Sequence, residues 1–364
     1  MRRPPLHLAL VMGVTLGMLA ACSSGATASP GGQSAAPSSG SPAPSVAGQG
    51  VIFYLLPGLF DEFQAGSQIL LEQYGAEKGF TVKSLNANNN ATTQIQQFDD
   101  AIAQKPKAIV VAAVDTATIG ASIEKAKAAG IIVTAYDRFV TNTAVDFTCT
   151  ADVTKIGKIG AEEIVRLLTK KNGSPKGTVL EQMGDPGDSY TIGIDQGFTE
   201  AIAAYPDIKV NRKTAAGWEP TVAATTIDDV LTANPNVDLV WVHSEGLAPA
   251  IVPVLEKHGF AAGDGKIIFL GTSGLPVGLD LVRQGWMIET IDYPLSPEYK
   301  STIDAIAKIL AGETLKVGTW EIDGYKNELK IETWGPTLYL PGEIITKANV
   351  DDPNLWGNIK LPSK

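Results

Sequence analysis

"KAIVVAAVDTATIGASIEKAKAAGIIVTAYD", residues 107–137, is the stretch that decides the fold. Two short apolar runs, "AIVV" and "IIVTAY", flank the helical pattern "TIGASIEKAKAAG". Continuous apolar strands separated by a helix-length connection are typical of a parallel sheet that is covered by helices on both faces. The stretch therefore predicts a strand–helix–strand unit of an α/β protein.

The same alternation extends in both directions along the chain. "VIFYLL" and "FTVKSLN" precede it, and the pattern restarts with "GTVLEQMG", "DLVWVHSEG", "KIIFLG" and "MIETIDYP". Two such sets predict two similar doubly wound parallel-sheet lobes, joined by a hinge that the chain crosses several times. We expect a first lobe of residues 51–150 plus about 293–318, a second lobe of residues 151–292, and a C-terminal extension of residues 319–364 that packs back across the hinge and lobes.

The first 22 residues have the pattern of a bacterial export signal. Arg2 and Arg3 are followed by an apolar run and then by small residues before Cys22. The ending "LAAC" resembles the lipobox of bacterial lipoproteins, in which the signal peptide is cut before a cysteine that becomes lipidated. This resemblance implies a membrane-lipid anchor at Cys22, with the globular body in the cell envelope and outside the cytoplasm.

Residues 23–50 consist mainly of Ser, Gly, Ala and Pro and contain no charged residue, which predicts a disordered tether. The remaining cysteine, Cys149, has no partner for an internal disulfide in the mature chain. We interpret it as a buried small apolar residue.

Composition and motifs exclude several classes of function. The formal net charge of −10 over 364 residues argues against nucleic-acid binding, which requires a basic surface. The mature chain has two histidines, His243 and His258, and lacks a nucleophile elbow, metal-ligand spacing or phosphate loop. We therefore expect no enzymatic activity, catalytic residue, metal or cofactor, although Asp185 and Asp188 leave glycoside hydrolysis as an enzymatic alternative.

Polar and aromatic side chains cluster near the predicted strand ends. Ligands of open α/β sheets bind at the carboxyl ends of the strands. Carboxylates and arginine form charge-assisted hydrogen bonds with adjacent hydroxyls, and aromatic faces pack on C–H surfaces, so this mixture suits a sugar or polyol. The candidate ligand-binding residues are Tyr54, Phe60, Asp137, Arg138, Ser189, Tyr190, Trp218, Ser244, Glu245, Ser273 and Tyr293.

Structural roles remain alternatives for four of these candidates. Asp137 and Arg138 are adjacent and can form a structural salt bridge or a helix cap. Trp218 can be a half-buried core residue, and Phe60 can be a hydrophobic staple at a helix start.

Residues 51–315 resemble the ribose-type sugar-binding proteins, which are solute receptors of ABC importers with the type I periplasmic-binding fold. "FDEFQAGSQ" resembles the family's first helix, and "VTAYDR" its strand ending in Asp-Arg. The resemblance implies that Phe60 stacks on a sugar and that Asp137 and Arg138 bind its hydroxyls. It further implies a monomer that closes on its ligand and contacts the membrane subunits of an importer.

Departures from the family pattern bear on the ligand. Ser244 and Glu245 stand where the family usually has Asn-Asp, and Ser273 stands where it usually has the Asp of Asp-Gly. These differences favour another pentose, a hexose or an acyclic polyol over ribose, and Arg138 leaves a sugar acid open. The alternative function is a sensor or autoinducer-type receptor of the same fold that binds a small polar signal.

Overall fold

The computed structural model describes residues 48–322 and 325–361. The predicted signal peptide, Cys22 and the tether as far as residue 47 lie outside this part of the chain. The tether prediction extends too far at its end, because Gly50 already belongs to the first strand. None of the helices in the described ranges combines the length and apolar content needed to cross a bilayer.

The first half of the described chain folds as alternating strands and helices around a parallel sheet. Strand β1 pairs with both β2 and β3, and β4 lies between β3 and β5. The elements are β1 (Gly50–Leu56), α1 (Glu62–Glu77), β2 (Phe80–Asn86), α2 (Ala91–Ala103), β3 (Ala108–Val111), α3 (Gly120–Ala128), β4 (Ile132–Tyr136) and β5 (Phe147–Ala151).

The second half repeats this architecture around a second parallel sheet with the order β10-β9-β8-β6-β7. The repeat confirms the predicted pair of α/β lobes. Its elements are α4 (Val153–Asn172), β6 (Gly177–Met183), α5 (Ser189–Ile202), β7 (Ile208–Thr214), α6 (Pro220–Ala233), β8 (Leu239–Val242), α7 (Ala248–Lys257), β9 (Ile268–Ser273), α8 (Pro276–Gln284) and β10 (Glu289–Asp292).

The C-terminal part of the chain adds strands to both sheets. Strand β13 pairs in parallel with β5 and brings β11 and β12 as antiparallel neighbours, which gives the first sheet eight strands. Strand β14 pairs antiparallel with β10 and gives the second sheet six strands. These elements are α9 (Leu295–Leu310), β11 (Gly318–Ile322), β12 (Tyr325–Glu332), β13 (Gly335–Leu340) and β14 (Ile344–Thr346).

Helices cover both faces of the first sheet because both faces of its central strands are apolar. Along β1, Ile52 and Tyr54 belong to one core cluster, while Phe53 and Leu55 belong to another. Successive side chains of a strand point to opposite faces, so β1 separates two layers of core. Tyr54 is fully buried in the first of these layers.

Candidate functional site: a cavity between the lobes

A cavity of about 30 Å³ lies between the two lobes. A space of this size holds at most a few water molecules, so a sugar enters only when side chains move or the lobes separate. Its walls combine carboxylates, amide and hydroxyl groups, one guanidinium and aromatic rings. The lining residues are Phe60, Asp61, Phe63, Gln64, Asp137, Arg138, Asp188, Tyr190, Trp218, Ser244, Ser273 and Tyr293.

The end of β4 delivers two consecutive charged residues to the cavity. Asp137 has a φ of 62°, which is uncommon for a residue with a side chain. Its backbone is fixed on both sides, because its N–H donates to Glu298 Oε1 at 2.9 Å and its carbonyl accepts from Thr150 Oγ1 at 2.7 Å. This turn allows both Asp137 and Arg138 to line the cavity.

Arg138 joins the two lobes through its guanidinium. One terminal nitrogen lies 2.8 Å from Asp188 of the second lobe, and the other donates to Ala113 O of the first lobe at 2.9 Å. Its Nε is 3.7 Å from Asp137. Asp188 also accepts a hydrogen bond of 3.0 Å from Trp218 Nε1. The predicted structural alternative therefore holds in part, since Arg138 takes part in a buried ion pair while it also lines the cavity.

Two carboxyl groups of the first lobe have raised pKa values. Burial raises the pKa of Asp137 to about 7, and nearby Asp188 contributes, while Arg138 acts in the opposite direction. Burial also raises the pKa of Asp61 to about 6, although the N–H of Gln64 and the charge of Arg138 lower it. Both groups are therefore poised to change charge near neutral pH.

Aromatic rings form the apolar part of the cavity wall. The Phe63 and Tyr293 rings meet edge to face at 4.8 Å, and Tyr190 lies 5.8 Å from Tyr293 and 6.0 Å from Trp218 between ring centres. Phe60 is half-buried beside them. Such rings offer flat faces to the C–H surface of a sugar, with little loss of conformational freedom.

The second lobe contributes hydroxyl groups. The Tyr190 hydroxyl donates to His243 O at 3.2 Å and lies 3.1 Å from Ser273 Oγ. Ser244 follows β8 and also lines the cavity. These groups form the polar wall that faces Asp137 and its neighbours.

Left-handed backbone conformations are concentrated at the cavity. Among the described residues, six residues other than glycine have a positive φ, and Asp137, Trp218 and Ser273 are three of them. Such conformations cost free energy and persist only where the surrounding structure enforces them, which is common at ligand sites. Their shared position supports a functional role for this cavity.

Three predicted ligand residues are not part of the cavity wall. Tyr54 is held in the core by its position within β1, where it meets Tyr136 edge to face at 5.6 Å. Ser189, the first residue of α5, is buried beside the wall. Glu245 is completely buried and points toward the backbone of the loop after β9.

Glu245 fixes the loop that follows Ser273. Its carboxyl group accepts hydrogen bonds from Gly274 N at 3.1 Å and Leu275 N at 3.4 Å, and from the hydroxyl of Thr290. Burial raises the pKa of Glu245 to about 8, against the lowering effect of these hydrogen bonds. Glu245 therefore supports the cavity wall from behind.

We expect Glu245 to make stability depend on pH. The pKa of Glu245 is higher in the folded state than in the unfolded state. The contribution of Glu245 to the unfolding free energy is therefore complete below about pH 4 and is lost as the pH rises through 8. Urea unfolding at pH 5, 7 and 9 should show this decline. A Glu245→Gln variant should reduce the slope of the unfolding free energy against pH by up to about 1 kcal/mol per pH unit. The exposed control Glu256→Gln should keep the wild-type slope, and equal slopes in all three proteins would contradict the assignment.

Four residues of the cavity wall are absent from the sequence-based candidates. Phe63 and Gln64 lie in the first turn of α1, three and four residues after Phe60, so helical spacing was an available signal. Asp61 and Asp188 cap α1 and α5 by accepting backbone N–H groups at 2.9 Å. A cap role explains an aspartate before a helix without any ligand, so the sequence did not indicate Asp61, and it indicated Asp188 only as part of a carboxylate pair for glycoside hydrolysis.

Two α/β lobes that meet over a buried polar and aromatic cavity define a small-molecule binding protein. The chain belongs to the periplasmic binding protein domain family, whose model matches residues 52–314. This family consists of binding proteins that act outside the cytoplasm, so the chain is a binding protein and not an enzyme.

Individual relatives and solved structures agree with this membership. The D-apiose import binding protein of Actinobacillus succinogenes is 28% identical over 264 residues, which cover 72% of this chain and 81% of that protein. The xylitol-binding protein of Mycolicibacterium smegmatis is 25% identical over 305 residues, which cover 83% of this chain and 78% of that protein. A carbohydrate transporter solute-binding protein from Agrobacterium radiobacter, solved with D-arabinose, is 19% identical with a TM-score of 0.74 and covers 87% of this chain and 100% of its own. The last comparison shows the type I periplasmic-binding fold.

Proposed function

We propose that this protein is a solute receptor that captures a sugar or sugar alcohol between its lobes and delivers it to the membrane subunits of an ABC importer. The observation that carries the proposal is the composition of the interlobe cavity. Arg138 and three carboxylates offer charge-assisted hydrogen bonds to hydroxyls, and five aromatic side chains offer flat apolar faces. The names of the relatives, which include import binding proteins for D-apiose and ribose, support the same substrate class.

The proposed ligand exchanges places with contacts that now hold the lobes together. The ion pair between Arg138 and Asp188 crosses the cleft, and the cavity is too small for a pentose. We infer that the lobes open, that ligand hydroxyls replace this direct contact, and that the lobes close again around the ligand. The same exchange explains why a strand as buried as β4 ends in two charged residues.

We further propose that the receptor is a monomer anchored by lipid at Cys22. Residues 23–47 then act as a tether that lets the globular body reach the importer. Mass spectrometry should detect covalent fatty acid on the wild-type protein and none on a Cys22→Ser variant, which should still bind ligand. A wild-type protein without fatty acid would overturn the anchor without affecting the receptor proposal.

A thermal-shift panel on the full chain in detergent tests the proposed substrate class. The panel contains pentoses, hexoses, tetritols, pentitols, hexitols and sugar acids, with amino acids as non-sugar controls. A ligand that binds only the folded state adds about 2.7 kcal/mol to the free energy of unfolding at a hundredfold excess over its dissociation constant. The melting temperature of the protein therefore rises clearly. A shift with one stereochemical group of sugars or polyols supports the proposal. A shift with amino acids alone, or with no member of the panel, would contradict it.

A further inference from the structure

The cavity wall contains more negative than positive side chains. Asp61, Asp137 and Asp188 line it together with a single guanidinium, that of Arg138. The short contact of Arg138 goes to Asp188 at 2.8 Å, whereas its closest approach to Asp137 is 3.7 Å. Arg138 therefore compensates the second-lobe carboxylate best and leaves the two first-lobe carboxylates poorly neutralised.

Gln64 connects these two carboxylates into one acceptor cluster, which consists of Asp61, Gln64 and Asp137. Its backbone N–H donates to Asp61 Oδ1 at 2.9 Å, and its side-chain Nε2 donates to Asp137 Oδ2 at 3.0 Å. The remaining atom, Gln64 Oε1, is buried without a hydrogen-bond partner, although Gln64 lines the cavity and is only 3% exposed. A buried acceptor is costly unless a ligand or a water molecule in the cavity donates to it, so the cluster suits a ligand that brings donors.

We propose that the ligand is a sugar or polyol that carries a primary amino group, and that the acceptor cluster binds its ammonium. An ammonium supplies three donors and one positive charge at a single atom, which matches three neighbouring acceptors and an excess of negative charge. A hydroxyl supplies one donor and leaves that charge uncompensated. The remaining hydroxyls bind Arg138 and the second-lobe wall, so this inference rests on the proposed function.

The charged surroundings of the cluster agree with a cationic ligand group. Asp61 faces Arg138, Glu62 and Asp188, and Asp137 faces Arg138, Asp188 and the buried Glu298. Burial raises the pKa of both first-lobe carboxyls, and negative neighbours add to this effect. A bound ammonium would lower these pKa values, so the affinity for an amine should rise with pH from about 5 to 7, a range in which the amine remains protonated.

Isothermal titration of the full chain in detergent tests the inference with matched sets of probes. Each sugar or polyol skeleton, from tetritols to hexoses, is titrated as the parent compound, as its amino-deoxy derivative and as the N-acetyl derivative. For at least one skeleton we expect the amine to bind at least tenfold more tightly than its parent at pH 7.5. We expect N-acetylation, which removes the charge and two donors, to abolish this gain.

Two substitutions at adjacent positions separate the cluster from general charge effects. Asp61→Asn should reduce the amine preference, measured as the ratio of the dissociation constants of the parent and the amine, to less than about threefold. Glu62→Gln removes the same charge from an exposed neighbour that does not line the cavity, and it should keep the preference.

The outcomes distinguish this inference from the function on which it rests. If parent compounds bind as tightly as their amines, the amino-group inference fails and the sugar receptor stands. If an amine binds tightly but Asp61→Asn and Glu62→Gln retain its preference equally, the acceptor cluster is not its site and the inference also fails. If no skeleton binds in any form, the proposed sugar or polyol function itself is wrong.

Discussion

An Arg138→Ala variant is expected to lose at least a hundredfold in affinity for the sugar or polyol that stabilises the wild-type protein. The guanidinium is the single cation of the cavity wall and is 3% exposed, so water cannot replace it easily. Its removal takes away the donors that bind ligand hydroxyls and leaves Asp137 and Asp188 buried beside each other without compensation. Loss of one partner of a buried ion pair costs about 3 kcal/mol or more, and we expect a comparable fall in the unfolding free energy.

Titration calorimetry and urea unfolding on the same variants separate binding from stability. Arg138→Lys keeps the charge but loses the planar fork of donors, so we expect an intermediate affinity. Arg212→Ala is the matched control, because Arg212 forms ion pairs with Glu181 and Asp195 in the second lobe and does not line the cavity. It should lose stability without losing affinity. Unchanged affinity in Arg138→Ala would return the Asp137–Arg138 pair to a purely structural role.

The sequence predicted the lobes and part of the cavity for a clear physical reason. Buried parallel strands read as continuous apolar runs, and the residues after them lie at one edge of a sheet. This rule predicts the placement of Asp137, Arg138 and Ser273 at the cavity. It does not predict that of Asp61 and Gln64, because they belong to a helix start whose approach to Asp137 depends on how α1 packs.

Neighbouring positions in a turn show where such reasoning stops. Ser244 and Glu245 both follow β8, yet Ser244 lines the cavity and Glu245 points into the core of the second lobe. The direction of each side chain is set by the local turn and by space that Gly271 and Gly278 leave around Glu245. Neither factor can be read from the pattern of apolar and polar residues.

Glu298 lies far along the chain from Asp137, which it supports, so its role also could not be predicted from the sequence. It connects the cavity to the hinge. It lies in the first turn of α9 and is completely buried, 161 positions after Asp137. Its Oε1 accepts from Asp137 N at 2.9 Å and from the Tyr293 hydroxyl at 2.7 Å, while that hydroxyl accepts from Ala151 N at 3.2 Å. Ala151 and Tyr293 stand where the chain crosses between the lobes. One glutamate therefore ties two of the crossings between the lobes to the turn that brings Asp137 into the cavity.

We expect Glu298→Ala to weaken ligand binding roughly tenfold, the equivalent of about 1.4 kcal/mol, and to lower the unfolding free energy by about 2–4 kcal/mol. The variant leaves a hole in the core, removes an acceptor shared by Asp137 N and the Tyr293 hydroxyl, and relaxes the left-handed turn at Asp137. Calorimetry with the stabilising sugar or polyol and urea unfolding measure the two effects. Glu313→Ala, an exposed glutamate shortly after α9, should change neither.

Glu298→Gln decides whether the carboxyl group acts as a neutral acceptor or as a charge. Burial and the charge of Asp137 raise the pKa of Glu298 well above its usual value, which favours the protonated form in the folded protein. A glutamine oxygen can accept the same two hydrogen bonds, so affinity should stay within about threefold of wild type and the pH dependence of stability should become weaker. If Gln instead weakens binding as much as Ala does, the hinge requires an ionised Glu298, and the neutral-acceptor account is wrong. If neither variant alters affinity, Glu298 stabilises the first lobe without positioning Asp137 for the ligand.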